Sequence, residues 1–182
     1  MAQAGSILLL LVGASLFGLA TRLAFPPAAW IGLTALVHAS RSIPAMSGAT
    51  FLWLALYAAL AIANRDTLPI PLPVYLLILV VEATIVTLPF VIDRIASPRI
   101  GGALATLIFP MALVTAEFLR SRLTSGASWW SIAYSQYGFM PLMQLSAMVG
   151  IWGITFVVAW FASTVELVWS RSSTGPKSAA PC

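Results

Sequence analysis

Charge is scarce in this chain. Asp, Glu, Lys and Arg make up 8% of its 182 residues, where a soluble domain carries about 25%, so water is excluded as its main solvent. Cysteine is rarer still. Cys182 is the one thiol; it excludes an intrachain disulfide framework, and as the last residue it does not fit a CaaX prenylation signal. With no acid or base nearby it is not tuned as a nucleophile. The one histidine, His38, lies near a helix end with no Cys, Asp or second His beside it, which makes a poor metal site. No metal and no cofactor are expected. Basic residues outnumber acidic ones, nine to five, for a net charge of +4 and a pI near 9.8. They stand singly at the ends of apolar segments, which is the pattern of membrane flanks and not of a nucleic-acid surface.

What the chain has in quantity is apolar surface: 60% of its residues are hydrophobic and its mean hydropathy is +0.99. Met1 to Thr21, Leu23 to Ser40, Ser42 to Asn64 and Leu123 to Val165 contain no charged residue. Each is near or above the roughly 18 residues of a spanning candidate. Thr67 to Ile92, interrupted by Glu82, and Ile100 to Leu119, interrupted by Glu117, are two more. Lipid offers the backbone no hydrogen bonds, so a span is a helix or part of a closed barrel. Barrel strands alternate apolar with polar residues, whereas Ile7 to Val12 and Leu76 to Val81 are apolar throughout. The expected fold is all-α, a polytopic bundle of about six transmembrane helices.

Helix 1 is expected to end near Ala20, with a corner at Arg22 and Phe25-Pro26-Pro27. A signal peptide is the competing reading of this segment, but no Lys or Arg precedes Ile7 to form its basic start. Helix 2 should end near His38 and Arg41, and helix 3 should cover about Ala49 to Ala63. The alternate prolines of Leu68 to Pro73 point to an extended linker. Helix 4 is expected over Val74 to Ile92, with a kink at Pro89 and a polar loop from Asp93 to Arg99, and helix 5 over Gly102 to Arg122. Thr124 to Pro141, rich in Ser, Trp, Tyr and Gln, reads as an interfacial or re-entrant segment before helix 6 at Leu142 to Trp169. The domain division is 1–169, helical, and 170–182, a disordered polar tail. With both termini cytoplasmic, the inner side holds Arg41, Arg94, Arg99, Arg171 and Lys177 against Arg22, Arg65, Arg120 and Arg122 outside. That five-to-four balance favours this orientation.

An ionisable side chain inside lipid costs about 2.5–3.5 kcal/mol on insertion scales and calls for a reason. Glu82, about two turns into helix 4, is either functional or a protonated or paired structural carboxyl. Glu117 and Arg120 stand at i and i+3, where a local ion pair is expected. Trp129, Trp130, Tyr134 and Tyr137 fit an aromatic belt. Small residues four apart, Ala14 with Gly18, Ala59 with Ala63 and Ala159 with Ser163, allow helices to approach closely.

A further pattern begins at Glu117. Glu117-Phe118-Leu119-Arg120 is followed by a corner at Gly126 and Trp129, by Tyr134-Ser135-Gln136, and by Leu145 and Gly150-Ile151-Trp152-Gly153-Ile154-Thr155-Phe156. Near the start, Leu23-Ala24-Phe25-Pro26-Pro27 precedes Trp30. In this order the elements resemble the membrane domain of apolipoprotein N-acyltransferases, which move an acyl chain from a phospholipid to the N-terminal cysteine of a diacylated lipoprotein. Ser128 stands where that family usually has Pro, and Ala133 where it usually has Gly. The resemblance implies a multi-pass protein of the bacterial cytoplasmic membrane, with Glu117, Arg120, Trp129, Tyr134 and Gln136 as substrate-binding residues along the lipid's route. It also implies that catalysis belongs to a nitrilase-like domain whose motifs these 182 residues do not show. No catalytic residue carries over, and the chain alone is expected to be inactive. On this reading the chain is either a truncated product or one partner of a separately encoded nitrilase-like subunit; its other expected partners are membrane lipid and, if active, a diacylated lipoprotein, with no nucleic acid. The alternative is a non-enzymatic membrane protein that uses the same helical scaffold for lipid binding or assembly.

Overall fold

The computed structural model describes residues 2–67, 69–124, 126 and 128–173. Six α-helices follow one another: α1 Ala2–Leu23, α2 Pro26–Ser42, α3 Ala45–Ala63, α4 Leu72–Ile100, α5 Ile108–Leu123 and α6 Met140–Ser173. Short 3₁₀ helices at Leu104–Leu107 and Ile132–Gln136 precede α5 and α6. No strand occurs among the described residues. Four helical stretches, Ala4–Leu23, Leu72–Ile100, Leu104–Leu123 and Met140–Ser172, are long and apolar enough to cross a membrane, and Ser47–Ala63 is a shorter apolar helix. At 1.5 Å per residue, the 17 residues of α2 rise about 26 Å, close to the roughly 30 Å of a hydrocarbon core.

The helices form a closed circuit in which α1 packs on α2 and α3, α3 on α4, α4 on α5, α5 on α6, and α6 back on α2. Helix α2 also touches α3 and α4, and ten of its 17 residues are buried. It forms the inner wall of the bundle. Small residues make this packing close. A Cβ on Gly13 would lie 3.1 Å from the Gly32 carbonyl oxygen, and one on Gly18 3.0 Å from that of Ala59, so α1 meets α2 and α3 almost backbone to backbone. The outward face is apolar as well: Met148 is 85%, Ile62 77% and Leu77 66% exposed. Such a surface suits lipid as solvent.

Three elements differ from expectation. The polar stretch Asp93 to Arg99 is the last part of α4 and not a loop. Its charges are satisfied on the helix: Arg41 holds Asp93 through two 2.9 Å bonds, Ser97 donates to Asp93 at 2.6 Å, and Arg99 donates to the Ile95 carbonyl at 2.9 Å. Helix 5 divides into a 3₁₀ turn and α5, with Pro110 in the first turn of α5, where a missing N–H is tolerated. The last helix reaches Ser173 and is broken at Gly150 (φ 67°, ψ −172°) into segments 140–149 and 151–173. Residues 170–173 are therefore helical, and the remainder of the tail, 174–182, lies outside the described residues. So does Leu68 of the expected proline-rich linker.

Candidate functional site

The segment between α5 and α6 is folded onto the end of the bundle where α1, α3 and α5 finish, here the upper end. Glu117 fixes it there. Buried on α5, its carboxylate accepts from Ser131 Oγ at 2.7 Å, Thr155 Oγ1 of α6 at 2.8 Å and the Ile132 backbone N–H at 2.9 Å. Ser131 Oγ in turn accepts from the Ala133 N–H at 3.3 Å and so caps the 3₁₀ helix. Three elements thus converge on one carboxylate, and charge-assisted bonds of this kind are the strong ones.

Gln136, fully buried, ties the same segment to α2. Its Oε1 accepts from Trp30 Nε1 at 2.9 Å and its Nε2 donates to Ser135 Oγ at 2.8 Å. Trp129 (58% exposed) and Tyr134 (46% exposed) point away from the core. The Tyr134 hydroxyl lies 2.7 Å from Ser128 Oγ. The upper end therefore carries an aromatic outer face on a rigid inner frame.

Arg120 does not pair with Glu117, one turn away. Its Nη1 donates to Glu82 Oε2 on α4 at 2.8 Å, and both side chains are buried. The expected i, i+3 pair is thus replaced by an interhelical one, because the hydroxyls and N–H of the 131–155 region already occupy Glu117. Glu82 is the paired structural carboxyl of the two readings open from sequence. Arg120 Nε and Nη2 and Trp130 Nε1 are buried without an acceptor among the described residues.

A sequence profile of the apolipoprotein N-acyltransferase N-terminal domain matches residues 12–164. The chain belongs to this family. Among curated relatives, the apolipoprotein N-acyltransferase of Rhodopseudomonas palustris is 31% identical over 153 residues, 84% of this chain and 24% of that protein. That of Pasteurella multocida is 32% identical over 91 residues, 50% of this chain and 17% of the relative. That of Geobacter metallireducens is 34% identical over 58 residues, 32% of this chain and 11% of the relative. The match thus spans less than a quarter of each relative's length. This family's N-terminal part is its membrane part, and the apolar outer face of the present chain places it in contact with lipid.

Of the sequence-derived site residues, the structure brings Glu117 and Gln136 into one buried frame, pairs Arg120, one turn further along α5, with Glu82 of α4, and leaves Trp129 and Tyr134 outside. Ser131, Thr155 and Trp30 were not singled out as partners. Trp30 and Thr155 lie within the resembling stretches, but only a fold that brings α2 and α6 to the 131–136 segment reveals what they hold.

Proposed function

We propose that this chain is the membrane portion of an apolipoprotein N-acyltransferase-like enzyme, in the bacterial cytoplasmic membrane, and that its upper end presents a phospholipid acyl donor to a nitrilase-like catalytic unit. The observation that carries this reading is the Glu117 node, where one buried carboxylate holds the 131–136 segment against α5 and α6. Glu117 and Gln136 position the segment. Trp129 and Tyr134, amphipathic and exposed, meet the lipid at the interface, and the donors of Arg120 and Trp130 that have no acceptor among the described residues receive its ester or phosphate oxygens. All six helices span the membrane, with the N-terminus inside and the Trp129 to Gln136 segment outside. A diacylated lipoprotein is the acceptor.

By themselves the 182 residues transfer no acyl group. Transfer through a thioester needs a thiolate, a base to form it and donors for the developing oxyanion, held on a rigid frame. The one thiol, Cys182, has no Asp, Glu or His within Ser170 to Cys182. Ser131 is hydrogen-bonded to Glu117 but is buried and spent in holding the segment. Incubation with a phospholipid carrying a labelled acyl chain should leave the purified protein unlabelled, and label should reach a diacylated lipopeptide only when a nitrilase-like protein is added. Label on Cys182 of the lone chain, lost on Cys182→Ser, would overturn the reading. Failure of every nitrilase-like partner, despite specific lipid binding, would favour a non-enzymatic lipid-binding role.

A further inference from the structure

At the opposite, lower end, where α2, α4 and α6 finish, a cavity of ≈ 390 Å³ is lined by Arg41, Asp93, Arg94, Ser97, Gly102 and Leu167, among others. Its volume falls within the range of small-molecule sites. The lower end has no part in the Glu117 frame, so the two sites stand or fall separately.

The charge of this cavity is unbalanced. The chain has five carboxylates, Asp66, Glu82, Asp93, Glu117 and Glu166, and each is engaged. Asp93 takes two bonds from Arg41 and one from Ser97. Glu166, the other carboxylate of this end, lies 2.7 Å from His38 Nδ1. Asp66 lies 4.0 Å from Arg22, Glu82 is bound by Arg120, and Glu117 by its hydroxyls and N–H. Among the described residues no carboxylate is left for Arg94, whose Nη1 donates to the Ser40 carbonyl. A carbonyl satisfies one of five guanidinium donors and none of the charge. With Arg41 neutralised by Asp93, Arg94 gives the cavity a net positive charge.

We propose that this cavity binds the phosphate of an anionic phospholipid headgroup, with Arg94 as the cationic contact. A guanidinium fork matches phosphate oxygens. The cavity lies among the last two turns of α2, α4 and α6, the part of a spanning helix that meets the headgroup region. Pro98, Ala105 and Leu167 complete its wall with apolar surface, which suits the first methylenes of a lipid's acyl chains and not a free ion. A Cβ at Gly101 or Gly102 would meet nothing within 4 Å, so the rim beside Arg94 stays open.

The test is native mass spectrometry of the full chain in detergent, titrated with phosphatidylglycerol, with inorganic phosphate as a competing arm. Loss of a charge-assisted bond predicts about ten-fold weaker lipid binding by Arg94→Gln, an intermediate value for Arg94→Lys and no change for Arg65→Gln at the upper end. Ala105→Leu fills the cavity, keeps every charge and should also weaken binding; it decides the matter if Arg94→Gln does not fold. Equal affinity of wild type, Arg94→Gln and Ala105→Leu would overturn the proposal. Displacement of the lipid by millimolar inorganic phosphate would assign the site to a free phosphate and overturn the lipid assignment.

Discussion

Removing either Glu82 or Arg120 leaves the other buried with no opposite charge bonded to it, and breaking a buried pair in this way typically costs about 3–5 kcal/mol. In SDS-titrated unfolding from mild detergent, Arg120→Met and Glu82→Leu should each be strongly destabilising, and the double variant much less so than their sum. The cycle between Glu117 and Arg120 should show the smaller coupling; a larger one would restore the local pair. At Glu117, Gln keeps the shape but only one acceptor oxygen for three donors, while Ala keeps none, so Glu117→Ala should be the more destabilising. That the residues 117 and 120 matter was legible from ionisable groups inside an apolar run. Their partners were not, because i, i+3 spacing shows only what lies along one helix, and Glu82 and Thr155 arrive from α4 and α6.

Among the elements, α6 carries the sharpest local constraint. Gly150 has φ 67° and ψ −172°, a region essentially closed to other residues at a cost of about 1–3 kcal/mol. A Cβ on Gly153 would sit 2.1 Å from Val149 Cγ2, and a β-branched side chain has few rotamers by which to move away. Gly153→Ala should therefore lower the thermal midpoint in detergent, and Val149→Ala should restore much of it; no rescue would show that the break is set elsewhere. The helices themselves were legible because uncharged runs mark them within a few residues at most ends. The C-terminal part of α4 was misread for a physical reason. Asp93, Arg94 and Arg99 look like a solvated loop unless Arg41 and the carbonyls of Ser40 and Ile95 are known to be in reach. The interfacial character of Thr124 to Pro141 was legible in composition, its inward anchoring by Ser131 and Gln136 was not.

The whole molecule is a circuit of helices with two chemically distinct ends: an aromatic upper end held by Glu117, and a basic lower end with Arg41, Arg94 and Arg99. With the N-terminus inside, in a Cys182→Ser background, Arg65→Cys and Trp129→Cys should react with a membrane-impermeant thiol reagent in intact cells and Arg99→Cys should not. Equal labelling of all three would contradict this orientation. The most direct measurement is photo-crosslinking with a phospholipid bearing a photoactivatable acyl chain, mapped by peptide in the wild type and in Glu117→Ala. The 128–136 segment should carry most of the label in the wild type and lose it in Glu117→Ala, while label on the outward faces of α4 and α6 is unchanged. Label spread evenly over the lipid-facing helices, and indifferent to Glu117, would contradict the claim that this carboxylate shapes a lipid site.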